Sequence, residues 1–415
     1  MSSLIRPFLS WRPGRYLRNA GQLFGWLLVR ALAQAGTVVM LSRLLGAEDY
    51  GRFVAIVAVA SFLIPFAGLG LSGLLLRDGA RNPAAIDRLL SHALRVWLAS
   101  AVACAIIALG LAWILLPQDV PWRAASVLIV MEVASASMTD LLARSEQARH
   151  QISQYGAINA GLPFIRLVAL VIYAAAMGST LTGWLWVYAS VGGAYAVAIY
   201  VHFQPKEQAN AGAPTLSIRE GLPFVGAALS LRLQAEFNKP LLARIGFDQA
   251  AYMGVAQRAT DLVSLPLMAL QEALWPRLYA DNEGHARLRK TSLALISLSI
   301  LTGVALWLCA GLVPLVLGKD FTLAVSAIRW IAWLPTLQLL RSFSNFQAVA
   351  AHRTSIVGVS YVIGSLAALG LMAVLIPPFG LGGAIAAAYL SEVAIIATQQ
   401  YMLLVARQRP QERRQ

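Results

Sequence analysis

The sequence predicts an all-α integral membrane protein with about twelve transmembrane helices, arranged in two six-helix bundles related by a pseudo-two-fold axis along the membrane normal. Three observations predict this fold class: the composition, the length of the apolar runs and a weak internal repeat. Of the 415 residues, 58% are hydrophobic and 13% are charged, and the mean hydropathy is +0.66. Soluble domains are roughly 45–50% apolar and about 25% charged. The composition therefore indicates a protein of the bilayer.

Apolar segments of membrane length follow one another along the whole chain. A hydrocarbon core about 30 Å thick needs about 20 apolar residues per helix, and continuous rather than alternating apolar runs exclude a β-barrel. The predicted spans, numbered 1 to 12 in chain order, are 23–45, 53–76, 96–116, 124–143, 156–177, 181–203, 222–245, 251–275, 291–317, 323–346, 355–376 and 380–405. Turn-forming segments such as GAEDYG, LPQDVPW and IPPFG separate them.

Basic residues in the connections predict the orientation, because cytoplasmic connections carry an excess of Lys and Arg. With both termini cytoplasmic, the outside connections contain only Arg43, Arg52, Arg123, Arg244 and Lys319. The resulting division is a cytoplasmic N-terminal segment (1–22), an N-terminal bundle (23–203), a cytoplasmic linker (204–221), a C-terminal bundle (222–405) and a cytoplasmic tail (406–415).

An internal repeat supports the two bundles. An ungapped shift of 200 residues aligns Gly46 with Gly246 and Arg77 with Arg277, and this shift matches the spacing between span 1 and span 7. Parallel repeats of six helices are related by an axis along the membrane normal. We therefore expect a cavity between the bundles that can open to either side of the membrane.

One segment carries a family resemblance. Residues 41–82, LSRLLGAEDYGRFVAIVAVASFLIPFAGLGLSGLLLRDGARN, resemble the start of the polysaccharide and O-antigen flippases, in the multidrug/oligosaccharidyl-lipid/polysaccharide exporter superfamily. Their Leu-Gly-x-x-x-x-Gly turn between the first two helices is matched by Leu45, Gly46 and Gly51, whereas the second copy has Ala251 in place of its second glycine. The segment GLGLSG (68–73) is expected to lie inside the helix of span 2 and to serve close helix packing.

The resemblance implies a flippase that moves a polyprenyl-pyrophosphate-linked oligosaccharide across the bacterial inner (cytoplasmic) membrane, for a surface polysaccharide such as the O-antigen of lipopolysaccharide. The implied partners are this lipid-linked substrate and the membrane itself. Polymerase and chain-length proteins of the same pathway are further candidate partners.

Basic residues inside the predicted spans are the candidate substrate-binding residues. A charge at a helix centre costs roughly 2.5–3.5 kcal/mol, so several together need a polar cavity. An excess of cations suits a dianionic pyrophosphate, because guanidinium forks match phosphate oxygens. The alternative for each cation is pairing with a neighbouring acid or extension to a nearby helix end, the latter most of all for Arg329. The candidates are Arg30, Arg166, Arg232, Lys239, Arg258, Arg329 and Arg341.

Two carboxylates share helical faces with these cations. Glu236 lies four residues after Arg232 and three before Lys239, and Asp261 lies three residues after Arg258, spacings that place each set on one face. Glu236 and Asp261 are candidate ion-coupling residues, with structural charge balance as the alternative.

No catalytic constellation is visible in the sequence. The absence of a P-loop argues against an ATPase. The short outside connections argue against a membrane glycosyltransferase or polymerase, which more often has a long periplasmic loop. We therefore expect no enzyme, no cofactor or metal, and no nucleic-acid partner. The chief alternative to the flippase is an ion-coupled multidrug or metabolite exporter of the same superfamily. Such exporters commonly carry a carboxylate in the first helix, where this chain has Arg30 and no acid.

Overall fold

The computed structural model describes residues 15–176, 178–206, 216–280, 284–351 and 353–412, and within these ranges the chain is helical with short turns and no strand. The α-helices in chain order are α1 Arg15–Leu63, α2 Leu71–Arg81, α3 Ile86–Leu115, α4 Trp122–Ala148, α5 Ile152–Ala176, α6 Leu181–Phe203, α7 Ile218–Glu236, α8 Asn238–Ala243, α9 Phe247–Ala280, α10 Gly284–Cys309, α11 Val313–Leu317, α12 Ala324–Ile331, α13 Leu334–Ala350 and α14 Thr354–Glu412.

Seven of the described helical segments are long and apolar enough to cross a membrane. Two of them are bent pairs: α1 bends at Gly46, which has φ 73°, and α14 bends at Gly380, which has φ 51°. Glycine adopts positive φ without the steric cost that other residues meet. The bent helix α14 therefore holds spans 11 and 12, and α1 holds span 1 and the first part of span 2. Spans 7, 8 and 10 are the only predicted spans with no part in these seven described segments. The chain is a multi-pass membrane protein.

The three remaining spans lie on helices that are interrupted or more polar. Span 7 is divided into α7 and α8 at Phe237, and span 10 is divided into α12 and α13 after Ile331. Phe237 lies three residues before Pro240, and Ile331 lies four residues before Pro335. Because proline has no backbone N–H, each of them removes one helical hydrogen bond. Span 8 lies on α9, which carries Arg258 and Asp261.

The expectation that GLGLSG lies inside a helix is wrong. Span 2 is interrupted after Leu63, and consecutive residues Gly68, Leu69 and Gly70 have φ of 89°, 50° and 75° before α2 begins. The expectation of close packing is confirmed, because a Cβ at Gly70 would lie 2.2 Å from the carbonyl oxygen of Gly221 on α7. This part of the chain needs glycine both for its backbone angles and for the approach of α7.

Side chains from both halves of the chain meet at the predicted outer ends of the helices, and we name this region the outer seam. The Arg43 guanidinium donates hydrogen bonds to the carbonyl oxygens of Leu315 (2.8 Å) and Val316 (2.5 Å). The rings of Tyr50 and Phe321 pack edge to face, with centroids 5.9 Å apart. The two halves are therefore in direct contact at this end.

The same seam brings α1 and α9 together without intervening side chains. A Cβ at Gly51 would lie 1.7 Å from the carbonyl oxygen of Phe247, and a Cβ at Gly254 would lie 2.9 Å from Val54. The guanidinium of Arg52 lies over the Phe247 ring, 4.8 Å from its centroid. The second glycine of the Leu-Gly-x-x-x-x-Gly turn thus makes room for a helix of the other half. The bundle boundaries at 23–203 and 222–405 and the symmetry axis between them stay predictions.

Candidate functional site

Six charged side chains from α1, α7, α8 and α9 form one group, which we name the central cluster. Its members are Arg30, Arg232, Glu236, Lys239, Arg258 and Asp261. Arg30 interacts electrostatically with Arg258 and Arg232, although it lies about 200 residues away from them in sequence. The fold therefore gathers charges that the sequence distributes over both halves.

The α7–α8 part of the cluster is a ladder of three side chains. Lys239 Nζ donates a hydrogen bond to Glu236 Oε2 at 2.5 Å, and Arg232 Nη1 lies 3.6 Å from Glu236 Oε1. The exposed fraction of these side chains rises from 8% at Lys239 to 13% at Glu236 and 44% at Arg232. The ladder thus extends from the protein interior to an accessible space, and its members share one helical face, as their spacing in sequence predicts.

Arg30, Arg258 and Asp261 make no ion pair or hydrogen bond with any residue that the structure describes. Arg258 and Asp261 are surrounded by protein on most sides and yet are accessible to solvent. Two guanidinium groups are therefore available to a ligand.

The central cluster carries an excess of positive charge. Its four cations face two carboxylates, which leaves a formal charge of two positive. Asp140, which also interacts with Arg30, does not offset this excess because Arg144 lies 3.5 Å away and balances it. An anion of two negative charges would neutralise the cluster.

Arg166 lies apart from the accessible cations. It is buried, forms an ion pair with Glu132 of α4, and stacks over the Tyr188 ring with its Cζ 3.8 Å from the centroid. Pairing with a neighbouring acid, the alternative that the sequence left open, therefore describes Arg166. Tyr188 also lies near Arg258 of the central cluster.

The two candidates in the last third of the chain do not join the central cluster. Arg341 Nη1 donates a hydrogen bond to Glu392 Oε1 at 2.9 Å, and its guanidinium lies over the Tyr361 ring. Arg329 is exposed and lies over the Trp307 ring, with its Cζ 4.8 Å from the centroid. Both have partners within their own half.

Sequence patterns gave no signal for the aromatic side chains next to the cluster. Tyr50 of α1 and Tyr188 of α6 lie near Arg258, and nothing in the sequence distinguishes them from the other aromatic residues of the spans. The ladder on α7 and α8 was visible as charges at helical spacing. The position of Arg30 across from Arg258 needed the tertiary structure.

The arrangement suits anion binding rather than metal chemistry. Guanidinium and ammonium groups donate hydrogen bonds to phosphate or carboxylate oxygens but do not ligate cations. Within the part of the chain that the structure describes, no three His, Cys, Asp or Glu side chains are placed to hold a metal ion.

A family comparison places this chain among known proteins. The family model described as polysaccharide biosynthesis protein matches residues 16–280. The chain belongs to this family. All six residues of the central cluster lie within the matched range of the polysaccharide biosynthesis family, whereas Arg329 and Arg341 lie beyond it.

Solved structures of the multidrug/oligosaccharidyl-lipid/polysaccharide (MOP) superfamily share the fold. Lipid II flippase MurJ in an inward closed conformation matches with a TM-score of 0.68 and 10% identity, over 92% of this chain and 87% of that chain. A multidrug resistance MATE family transporter of this superfamily, in an inward-facing conformation, matches with a TM-score of 0.68 and 17% identity, over 92% and 94%. The MATE multidrug transporter DinF-BH in complex with R6G matches with a TM-score of 0.64 and 15% identity, over 94% of both chains.

No curated protein gives a significant match in sequence. At identities this low, the structural similarity establishes the fold, and the activity has to be argued from the site. The neighbours are transporters and flippases rather than enzymes, which is consistent with the absence of a catalytic constellation in the sequence.

Proposed function

We propose that this chain is a flippase that moves a polyprenyl-pyrophosphate-linked oligosaccharide across the bacterial inner membrane for surface polysaccharide synthesis. The observation that carries the proposal is the central cluster, in which accessible guanidinium groups from both halves leave an unbalanced positive charge. A pyrophosphate that bridges a lipid and a sugar carries two negative charges. The charge of the substrate therefore equals the excess charge of the empty cluster.

The contacts of each residue in the central cluster indicate its role in substrate binding. Arg30 and Arg258 have no described ion-pair partner, so they are free to donate to phosphate oxygens. Arg232 is half-exposed and only loosely paired, at 3.6 Å from Glu236. We assign these three guanidinium groups to the pyrophosphate, and Lys239 to the same site as a deeper point charge.

The candidates outside the cluster receive a different role in this proposal. Arg166 and Arg341 are neutralised by Glu132 and Glu392, so they hold helices together instead of contacting phosphate. Arg329 lies over Trp307 on the exposed surface of the C-terminal half.

The outer seam fits transport by alternating access. In this conformation the halves are in contact at the predicted outer ends, and α2 also meets α7 at the predicted cytoplasmic end, where Arg77 forms an ion pair with Glu220. Alternating access would open one of these two contacts at a time. Opening of the seam would then expose the cluster to the outside. The oligosaccharide, which is polar, would cross within the protein while the polyprenyl chain stays in lipid.

Of the two candidate coupling carboxylates, Asp261 fits an ion-coupled step better. It has no described ion-pair partner and is accessible, whereas Glu236 is already held by Arg232 and Lys239. If Asp261 carries the coupling ion, Asp261→Asn should abolish stimulation of transport by a proton or sodium gradient and leave uncoupled movement intact.

Multidrug export is the second candidate function, and the observation in its favour is the similarity to the two MATE transporters. Their fold is shared with MurJ, however, so it does not select between the two functions. The central cluster favours the flippase, because its positive excess would repel cationic drugs.

The test uses the purified protein in proteoliposomes. We expect movement of a fluorescent polyprenyl-pyrophosphate-linked sugar, detected as protection from an external quencher, and a loss of about 10- to 150-fold in rate for Arg258→Gln, since a charge-assisted hydrogen bond contributes about 1.5–3 kcal/mol. The matched control is Arg329→Gln, which removes an exposed cation outside the cluster. Efflux of a cationic dye without movement of the lipid would overturn the proposal in favour of the exporter.

A further inference from the structure

The ion pair between Glu236 and Lys239 spans a point where the helical hydrogen bonding is interrupted, although Phe237 itself keeps helical angles, with φ −72° and ψ −18°. Glu236 is the last residue of α7 and Lys239 is the second residue of α8, with Phe237 between the two helices. Pro240 has no N–H to bond the carbonyl oxygen of Glu236, so the backbone across this point lacks one helical hydrogen bond. The side-chain hydrogen bond of 2.5 Å therefore joins two helical segments whose backbone connection is weakened.

Glu236 occupies the position that an anionic ligand would take. Its two oxygens face different cations, Oε2 toward Lys239 and Oε1 toward Arg232, and it also interacts electrostatically with Arg258. This is the pattern expected of a phosphate group held by three basic side chains. The looser contact, 3.6 Å to Arg232, lies on the side that is accessible.

We propose that Glu236 is an internal anion that competes with the substrate's pyrophosphate for Arg232 and Lys239, and that it is displaced when the substrate binds. This inference rests on the proposed flippase function and concerns the same site. In the empty protein, Glu236 holds the two cations and keeps the cluster at two positive charges. In the loaded protein, a phosphate takes its place.

Competition of this kind would give the carrier two properties. Binding of the pyrophosphate is weakened by the work of displacing Glu236, so the substrate is released on the far side instead of being held. Displacement also removes the side-chain link across the interruption at Phe237, so that a change in the angle between α7 and α8 becomes easier when the site is occupied. Substrate binding and helix movement are thereby connected through one carboxylate.

The experiment measures binding of farnesyl diphosphate to the purified full-length protein by calorimetry. We expect Glu236→Gln to bind about tenfold more tightly than the wild type, because removal of one negative charge at contact distance strengthens anion binding. We also expect its transport rate in proteoliposomes to fall, because release becomes slow. Glu48→Gln is the matched control: Glu48 is an exposed carboxylate at the outer end whose partner Arg52 keeps Asp49 and Asp119, and its binding should not change.

A second variant keeps the inference testable if Glu236→Gln folds poorly. Glu236→Asp retains the charge but shortens the side chain by one methylene, so it should hold Lys239 less well and give an intermediate affinity. Unchanged or weaker binding by both variants, with wild-type unfolding temperatures, would overturn the displacement of Glu236 while leaving the flippase proposal in place. Absence of farnesyl diphosphate binding to the wild type and to both variants would overturn the two proposals together.

Discussion

Gly51 lies where α1 of the first half meets the start of α9 in the second half, and substitution by alanine is the most direct test of the outer seam. The backbone at Phe247 approaches Gly51 so closely that an added Cβ would lie 1.7 Å from the carbonyl oxygen. Real Cβ atoms essentially never show contacts under 3.0 Å. The partner atom is backbone, so it cannot rotate away as a side chain would.

The size of the effect follows from this distance. For Gly51→Ala, α1 and α9 must separate by at least 1.3 Å, the difference between 3.0 Å and 1.7 Å. Overpacking of this kind costs typically about 1–3 kcal/mol. The cost applies only to the conformation in which the seam is closed, so the equilibrium should shift toward an outer-open state by roughly 5- to 150-fold.

The shift can be measured as a distance between the halves. Spin labels at Glu48 and Arg244, both at the predicted outer turns, should report a longer distance for Gly51→Ala than for the wild type in detergent or nanodiscs. Gly110→Ala is the control, because nothing lies within 4 Å of its added Cβ. An unchanged distance distribution in Gly51→Ala would refute the reasoning, since it would mean that the contact with Phe247 does not hold the seam closed.

Two further predictions concern ion pairs away from the central cluster. Glu132→Gln leaves the buried Arg166 guanidinium without its counter-ion, which costs about 3–5 kcal/mol. The unfolding temperature of this variant should therefore fall well below that of Arg329→Gln. Equal unfolding temperatures would contradict the pairing of Arg166 with Glu132. Arg77 donates a hydrogen bond to Asp78, and this holds the pKa of Asp78 below its usual value. The stabilisation is therefore complete above about pH 4 and is lost as the pH falls through the lowered pKa. Arg77→Gln should remove this acid-dependent component from unfolding curves recorded against pH, and superimposable curves would count against it.

The helical spans were predictable because their signal is local. A run of about 20 apolar residues fixes a membrane helix whatever its neighbours are, and each predicted span lies on helical segments of the structure. The turns at Gly46 and Gly380 were marked by their own residues. The interruption of span 2 was missed, because glycines within an apolar run are compatible with either a packed helix or a break.

The ladder on α7 and α8 was also predictable, since Arg232, Glu236 and Lys239 lie within eight residues and helical geometry alone places them together. Helical spacing did not reveal the acid partners of Arg166 and Arg341. Glu132 and Arg166 lie on different helices, as do Glu392 and Arg341, and nothing in the spacing of either pair indicates contact.

The sequence by itself determined that this protein is helical and crosses the membrane many times, because both properties depend on segments shorter than one span. It also predicted which charges lie inside the membrane. Only the tertiary structure decided which of those charges share an accessible site and which are paired and buried. The physical reason is that the interaction of two charges depends on the distance and the medium between them, and both are set by helices that are far apart in the chain.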